Sequence, residues 1–274
     1  MILVTGATGT TGSEVVRQLI ERGERVRAMS RRQVEIPGAE VVLGDFTDAR
    51  SLAEAVEGVA AVYAVTVPPK PTIDHDVALV EAAGKAGVER IVKLSAISAV
   101  DPDTWHRRAE QPARESGLDW TVLRPPSFAS NMLHYAPMVK GGVPLSDWTG
   151  TGACGVIDPR DIAAVAVEAL VGDGHSGQTY TPTGPELLTF GQQVAVLEEA
   201  TGTAIATEAV GIEGVRAVML AGGAEPENVE ESVKGVARQA EGGYAVLTDH
   251  VPTILGRPAL SFADWANDHR AAFL

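Results

Sequence analysis

The amino-acid sequence predicts an α/β protein in which a doubly wound parallel sheet is joined to a smaller, mostly helical C-terminal substrate lobe. Two observations support the sheet. The chain opens with a short apolar run, a glycine-rich turn and an amphipathic segment, and short apolar runs then alternate with helix-like segments up to about residue 126. A third observation supports the lobe, because helical segments dominate the rest of the chain.

The first predicted strand, residues 2–4, runs into a turn in which glycine recurs at every third position. A glycine turn lets the backbone come close to a pyrophosphate, and the free N–H groups at the start of the following helix supply donors and partial positive charge. A strand, a glycine turn and a helix in this order indicate dinucleotide binding. The predicted pyrophosphate site consists of Gly6, Thr8, Gly9, Thr10, Thr11 and Gly12.

The second predicted strand, residues 24–30, ends at two arginines, Arg31 and Arg32. A site that prefers NAD usually carries an acidic residue here, which holds the ribose 2′-OH. Two guanidinium groups favour the 2′-phosphate of NADP(H) instead, although NAD(H) remains possible and a solvated basic turn is the alternative. The expected cofactor is therefore NADP(H), with NAD(H) possible, and the sequence shows no flavin signal.

The third predicted strand, residues 39–44, ends at Asp45. An acidic residue at such a strand end commonly faces the adenine ring, and Asp48 suits the N-cap of the next helix, residues 49–56.

The fourth predicted strand, residues 59–67, stops at two consecutive prolines. Thr66 and Val67 therefore fall at the carboxyl edge of the sheet, where ligands bind in open α/β folds. The remaining predicted elements of this region are a helix at 73–86, a strand at 90–94, a helix at 103–116 and a strand at 120–123.

The second region begins with a loop or short helix and contains two acidic residues that resemble a catalytic pair, Asp158 and Asp161. Helix capping explains both carboxylates better, because they flank the start of a predicted helix. We expect a dinucleotide-binding domain of residues 1–126 plus about 153–172, and a substrate lobe of about 127–152 and 173–274. The predicted elements are a loop or helix at 127–142, strands at 155–157 and 178–180, and helices at 162–171, 190–200, 214–220, 226–240 and 262–273.

The composition excludes several classes of partner. The chain is 45% hydrophobic and 21% charged with a net charge of −14, which argues against nucleic acid and against an anionic membrane surface. Cys154 is the only cysteine, so an intrachain disulfide and a thiolate metal site are impossible, and no metal site is expected. A cytoplasmic monomer or homodimer acting on a small molecule is the expectation, because the chain enters a core strand directly and one cysteine suits a reducing compartment.

Six segments together resemble the NmrA-like branch of the atypical short-chain dehydrogenases/reductases. They are TGATGTTG (5–12), VRAMSRR (26–32), GDFTD (44–48), SGLDWTVLRPPSFASNML (116–133), IDPRDIA (157–163) and FADWANDHRAAF (262–273). The resemblance implies a Rossmann-type domain with a nicotinamide dinucleotide, in a family that ranges from quinone or azo-dye reductases to redox sensors. It also implies roles by position: Gly6 to Gly12 for the pyrophosphate, Arg31 for the 2′-phosphate, Asp45 and Phe46 for adenine, Thr66 and Val67 for ribose, and Ser95, Pro125, Pro126 and Phe128 near the nicotinamide.

The sequence departs from this superfamily at its usual catalytic pair, Tyr-x-x-x-Lys, in which the lysine lowers the tyrosine pKa for proton transfer. The fourth residue after each of the four tyrosines is valine, valine, glycine or threonine, and no lysine lies between Lys93 and Lys140. Alcohol oxidation and sugar epimerisation of the usual kind are therefore disfavoured.

His106 is the best-placed titratable residue for proton donation, although an exposed first-turn histidine is the alternative. Asn131, His134 and Tyr135 are candidates for the substrate pocket, with plain packing as the alternative. Hydride transfer to a quinone-like or polycyclic aromatic molecule least needs a strong protein acid, so the sequence favours such an NAD(P)H-dependent oxidoreductase. A non-catalytic redox sensor that binds dinucleotide and a protein partner is the main alternative, and an isomerase or lyase is a more distant one.

Overall fold

The structure is a computed structural model that describes all 274 residues, Met1–Leu274. The chain forms two compact units: unit 1 is Met1–Arg124 with Ile162–Thr181, and unit 2 is Pro125–Asp161 with Pro182–Leu274. The division expected from the sequence differs from this one at residues 125–126 and 153–161, which it places in the dinucleotide-binding domain, and at residues 173–181, which it places in the substrate lobe. Strand pairing explains the difference, since residues 178–180 join the large sheet of unit 1 and residues 156–157 pair within unit 2.

The strands, in chain order, are β1 (Ile2–Val4), β2 (Val26–Ser30), β3 (Ala39–Leu43), β4 (Ala61–Ala64), β5 (Arg90–Leu94), β6 (Asp119–Leu123), β7 (Ser127–Phe128), β8 (Leu145–Asp147), β9 (Val156–Ile157), β10 (Gln178–Tyr180) and β11 (Thr207–Ala209). The α-helices are α1 (Thr10–Glu21), α2 (Ala49–Val56), α3 (Asp74–Lys85), α4 (Trp105–Ala109), α5 (Gln111–Glu115), α6 (Ala136–Lys140), α7 (Pro159–Val171), α8 (Phe190–Thr201), α9 (Ile212–Ala221), α10 (Pro226–Ala240), α11 (His250–Leu255) and α12 (Phe262–His269). Short 3₁₀ helices cover Ile97–Val100, Ala129–Tyr135 and Arg270–Ala272.

Unit 1 is built on a seven-stranded parallel sheet in the order β3-β2-β1-β4-β5-β6-β10. The first six strands follow the 3-2-1-4-5-6 order of doubly wound dinucleotide-binding folds, so the predicted fold class is confirmed. The strand order reverses between β1 and β4, and ligands bind in such folds at the carboxyl ends of the strands near that point. β1 and β4 are buried along their whole length, as parallel strands covered on both faces must be.

Unit 2 contains two small parallel pairs, β7 with β9 and β8 with β11, and a core in which α8 packs on α12. Capping boxes start both helices, with Thr189 at α8 and Ser261 at α12. Trp265 and Phe262 stack in this core, which also holds Cys154. Burial raises the pKa of the Cys154 thiol to about 11. No helix of the chain combines the length and the apolar character that crossing a membrane requires.

Several elements differ from their predicted form. The helix expected at 103–116 is two short helices, α4 and α5, which meet at Glu110, because Pro112 has no N–H to continue the ladder of α4. The strand expected at 59–67 is only the four residues of β4. The paired strands β8 and β11 and the helix α11 were not predicted, since segments of three to six residues carry too little periodicity.

The acidic pair at the start of α7 is structural. Asp158 accepts the Arg160 backbone N–H at 2.8 Å and also pairs with its guanidinium at 2.7 Å. The carboxylate of Asp161 is fully buried, accepts the backbone N–H of Leu260 at 2.7 Å and pairs with Arg257 at 2.6 Å. Both carboxylates are thus occupied within unit 2, in agreement with the capping interpretation for Asp158 and with a tertiary anchor for Asp161.

A buried glutamate, Glu110, joins the helices after β5 to the ends of two strands. Its carboxylate is fully buried, accepts two hydrogen bonds from Arg124 at 2.6 and 2.7 Å, and accepts one from Ser95 at 2.7 Å. Arg114 adds a further bond at 2.9 Å and stacks on the Trp120 ring. Burial alone would raise the pKa of Glu110, but the bonds from Arg124, Ser95 and Arg114 outweigh burial and hold it below the usual range.

We expect Glu110→Gln to lower the free energy of unfolding at pH 7 by about 3–5 kcal/mol, because it removes one partner of a buried charge cluster. The folded-state pKa of Glu110 is lowered, so its stabilisation is present above the unfolded-state value of about 4.3 and is lost as the pH falls through the folded-state value. The difference between the variant and the parent protein should therefore shrink in acid. Urea unfolding of both proteins at pH 7 and at pH 4 measures this difference in the free energy of unfolding.

Glu115→Gln is the matched control, because Glu115 is exposed and only accepts a bond from Gln111 at 2.7 Å. We expect this control to change stability by less than about 0.5 kcal/mol. A loss for Glu110→Gln that equals the control would show that the cluster does not stabilise unit 1.

Candidate functional site

The glycine turn between β1 and α1 requires glycine at two positions for steric reasons. Gly6 has a φ of +59°, a left-handed conformation that side chains disfavour. A Cβ atom on Gly12 would overlap the carbonyl oxygen of Gly6, so α1 approaches the turn more closely than any other residue allows. Two of the three predicted glycines therefore have a demonstrable backbone role in bringing the start of α1 to the end of β1.

The N-terminus of α1 is open to an anion. Gly9 is its N-cap and provides no side-chain cap, and no acidic residue lies in the first turn. Gly6, Thr8, Gly9 and Thr10 are exposed, whereas Thr11 and Gly12 are buried. Because the first N–H groups of a helix have no intrahelical acceptor, this turn fits a pyrophosphate, with backbone donors and two exposed threonine hydroxyls around it.

The turn is held to the neighbouring strand by a threonine that the sequence analysis had not singled out. Thr5 is fully buried, and its hydroxyl lies 3.1 Å from the carbonyl oxygens of both Tyr63 and Val65. The Val65 N–H donates to the same hydroxyl at 2.8 Å. The hydrogen bonds of Thr5 therefore hold the pyrophosphate turn against the end of β4, at the point where the strand order reverses.

The basic turn after β2 leaves its cations available. Arg31 and Arg32 are both exposed, and neither guanidinium forms an ion pair or a side-chain hydrogen bond. Asp45, after β3, is exposed and accepts bonds from the Thr47 hydroxyl at 2.7 Å and from the Thr47 N–H at 2.8 Å. These bonds, with smaller contributions from His75 and Arg31, hold the pKa of Asp45 below its usual range.

An aromatic pair lies next to Asp45. The Phe46 and His75 rings are stacked with centroids 5.0 Å apart and an interplanar angle of 25°. His75 is in the first turn of α3, and its Nδ1 atom is buried without a hydrogen-bond partner. No sequence signal marked His75, because its stacking partner lies 29 positions earlier in the chain.

Of the residues predicted after β4 and β5, Thr66 and Ser95 present little side chain to a ligand, whereas Val67 is exposed. The Thr66 and Ser95 hydroxyls are buried, with Thr66 bonded to Asp76 and Lys93 and Ser95 bonded to Glu110. Val67 is 76% exposed. Thr66 can therefore contact a ligand only through its backbone, whereas Val67 offers an apolar side chain.

His106, the predicted proton donor, is half-buried on α4 after β5. Its Nδ1 atom lies 2.9 Å from the Ser98 hydroxyl, and its ring contacts the Trp105 ring at 4.4 Å between centroids. The sequence-based alternative, an exposed first-turn histidine, is correct on the position in the first turn, but the side chain is half-buried rather than exposed. Ser98 orients the imidazole ring, and its partnership with His106 was not predicted.

The remaining predicted site residues lie in unit 2, on β7 and the segments beside it. Pro125 is buried, and Pro126 and Phe128 are half-buried. Among the pocket candidates, Asn131 and His134 are exposed, whereas Tyr135 packs on the Phe190 ring with centroids 5.4 Å apart. Burial, with a contribution from Asp147, raises the pKa of Tyr135. The functional roles of these residues stay predictions.

Unit 1 thus brings together the pyrophosphate turn, Arg31, Asp45, Thr66 and Ser95 at the carboxyl ends of five adjacent strands. The strand order places Arg31 and Asp45 on the β2–β3 side of the turn and Thr66 and Ser95 on its β4–β5 side. No group of three or more histidine, cysteine, aspartate or glutamate side chains is arranged to hold a metal ion.

Comparison with known proteins agrees with this geometry. Residues 6–173 match the model of a family described as NAD(P)H-binding. The chain is 38% identical, over its whole length and 99% of the relative, to a (4-alkanoyl-5-oxo-2,5-dihydrofuran-3-yl)methyl phosphate reductase of Streptomyces griseus. It is 36% identical, with the same coverage, to an NAD(P)H azoreductase of Xenophilus azovorans.

Solved structures share the fold. An Escherichia coli NADPH-dependent quinone oxidoreductase complexed with NADPH superposes with a TM-score of 0.83 at 23% identity, covering 98% of this chain and 99% of the other. A Citrobacter triphenylmethane reductase complexed with NADP(H) gives 0.82 at 21% identity, covering 98% and 100%. The chain therefore belongs to the NAD(P)H-binding oxidoreductases, as an NmrA-like member of the atypical short-chain dehydrogenases/reductases.

Proposed function

We propose that the chain reduces an electron-poor, conjugated small molecule, such as a quinone-like or polycyclic aromatic compound, at the expense of NADPH. Unit 1 would hold the cofactor along the carboxyl edge of its sheet, with adenosine at β2 and β3 and nicotinamide at β4 and β5. We retain the expectations of a small-molecule partner, a cytoplasmic location and a monomer or homodimer.

The main support for the proposal is that the two buried carboxylates at this edge are already paired with cations and are not available as proton donors. Glu110 forms ion pairs with Arg124 and Arg114, and Asp76 forms one with Lys93. None of the four tyrosines is followed four residues later by a lysine. An acceptor that is already electrophilic needs the least help from a protein acid, so the side chains present suit such an acceptor best.

The chain's own residues would bind and orient the cofactor and would protonate the reduced acceptor. The glycine turn and the N-terminus of α1 would hold the pyrophosphate, and Arg31 would hold the 2′-phosphate. A bound nicotinamide dinucleotide would supply the hydride. His106, oriented through Nδ1 by Ser98, would supply the proton from its other ring nitrogen.

The names of the relatives support the acceptor class. One acts on an oxo-dihydrofuran that also carries an alkanoyl group, and another is an azoreductase. The structural neighbours include a quinone oxidoreductase and a triphenylmethane reductase. The furanone, azo and quinone groups in these names all contain conjugated double bonds, which supports a conjugated acceptor for this chain.

We expect Arg31→Ala to weaken NADPH binding about 10- to 100-fold and to leave NADH binding unchanged, because a charge-assisted hydrogen bond to the 2′-phosphate is lost. Calorimetric titration with each cofactor measures the effect. Arg50→Ala is the matched control, since Arg50 is an exposed arginine that pairs with Glu54 on α2. An equal loss for NADPH and NADH would remove Arg31 as the phosphate anchor.

We expect the protein to oxidise NADPH in the presence of a naphthoquinone or an azo dye, and His106→Gln to lower kcat about tenfold without changing the Kd of NADPH. This loss is smaller than the 10²–10⁴-fold effect of typical general acids, because the acceptor is electrophilic. Absorbance at 340 nm follows the reaction. An unchanged kcat would assign the proton to water.

Calorimetric titration with oxidised and reduced cofactor, combined with the turnover assay, separates the reductase from the redox sensor. Tight binding of the oxidised cofactor alone, with no turnover of any acceptor, would contradict the proposed function and favour a sensor. Tight NADPH binding with turnover of a conjugated acceptor would support the reductase.

A further inference from the structure

A buried ion pair lies beneath the β4–β5 side of the carboxyl edge. Lys93 of β5 and Asp76 of α3 are each 3% exposed, and the Lys93 ammonium lies 2.7 Å from Asp76 Oδ1. The Thr66 hydroxyl completes the cluster, because it accepts from Lys93 at 2.5 Å and donates to Asp76 Oδ1 at 2.6 Å. All three side chains belong to unit 1.

Stability alone does not account for these charges. Burying an ion pair costs desolvation that its attraction often fails to repay, and apolar side chains of similar volume are frequently as stable. The pair is also incompletely satisfied, since Asp76 Oδ2 is buried without a hydrogen-bond partner. Apolar residues at positions 76 and 93 would stabilise the core as well as the ion pair does. The charges therefore need an explanation other than stability.

The cluster fixes one end of a proline-rich segment. Thr66 is the last buried polar residue before residues 67–71, a stretch with three prolines that begins with the exposed Val67. The other end is fixed at Thr72, whose carbonyl oxygen accepts the indole N–H of Trp105 at 2.8 Å. The segment is therefore attached at both ends to elements around β5, namely β5 itself and α4.

We propose that Lys93 and Asp76 are positioning residues for the nicotinamide half of the cofactor, acting through Thr66. Their charged bonds to the hydroxyl set the backbone of Thr66 and Val67 at the end of β4. The inference rests on the proposed function for the identity of the ligand. The inference adds that the cluster affects binding of the nicotinamide half of that ligand and not of the adenosine half.

The strand order makes the claim testable with a fragment. Adenosine contacts are expected at β2 and β3, on the far side of the glycine turn from Thr66. Adenosine 2′,5′-bisphosphate represents the adenosine half alone, whereas NADPH spans both sides. A defect confined to the β4–β5 side must therefore weaken NADPH and spare the fragment.

The first variant is Thr66→Val, which removes the hydroxyl with little change in volume and keeps the ion pair. We expect the Kd of NADPH to rise about tenfold and the Kd of the fragment to stay unchanged. A tenfold change lies within the range of interaction energies measured between residues in contact. Calorimetric titration gives both constants without requiring turnover. A Thr66→Ser variant keeps the hydroxyl and should restore NADPH binding.

The second variant replaces both charges, Asp76→Leu with Lys93→Met, so that no buried charge remains unpaired. We expect a folded protein with a thermal midpoint close to that of the parent but with the same selective loss of NADPH affinity. Glu81→Leu with Lys85→Met is the matched control, because it removes an exposed ion pair from the same helix, α3. This control should change neither constant.

Two outcomes would overturn the inference. Unchanged NADPH affinity in both Thr66→Val and the double variant would make the cluster purely structural. Equal losses for NADPH and for the fragment would show a general disturbance of unit 1. If the parent protein binds neither NADPH nor the fragment, the proposed cofactor is wrong. This outcome is distinguishable from failure of the present inference, in which the parent protein binds both ligands and the variants bind NADPH as the parent does.

Discussion

The close approach between the backbone of α1 and the glycine turn is the constraint on which the site depends. Without a side chain at Gly12, the helix begins directly against the carbonyl of Gly6 at the end of the central strand. The unpaired N–H groups of the helix then lie at the middle of the carboxyl edge. Every other expected cofactor contact of unit 1 is arranged to one side of this point or the other.

Charge is distributed unevenly around that edge. The chain carries a net charge of −14, yet the exposed guanidinium groups after β2 form no ion pair, and only a weak attraction links Arg31 to Asp45. On the opposite side, the charges of Glu110 and Asp76 are buried and matched by arginine or lysine. The β2–β3 side of the turn can thus attract an anionic group, while the buried carboxylates on the β4–β5 side are already paired with cations.

The sequence predicted local structure best where a residue lies close to the element it serves. The glycine turn, the basic pair after β2 and the N-cap Asp48 each lie within a few residues of the element they serve, and the structure places Asp48 at the N-cap of α2 with its carboxylate bonded to the N–H of Arg50. The parallel direction of the strands could be predicted because most of them alternate with helices, and a helical crossover joins parallel neighbours.

Contacts between distant residues could not be predicted in this way. Glu110 lies between α4 and α5 and Arg124 follows β6, and nothing in their spacing indicates that they meet. Lys93 did leave a sequence signal, a lysine within the apolar run of β5, but its partner Asp76 lies 17 positions earlier on a helix. The unit boundary was misplaced for a similar reason, since two-residue strands such as β9 reveal their partner only in three dimensions.

The buried state of Cys154 makes the single thiol of this chain a natural reporter of opening. Alkylation requires both access and the thiolate, and the raised pKa of about 11 leaves little thiolate at neutral pH in the native protein. Both conditions are met only when the core of unit 2 opens. The rate at which a maleimide modifies the native chain therefore measures how often unit 2 exposes its core, independently of unit 1.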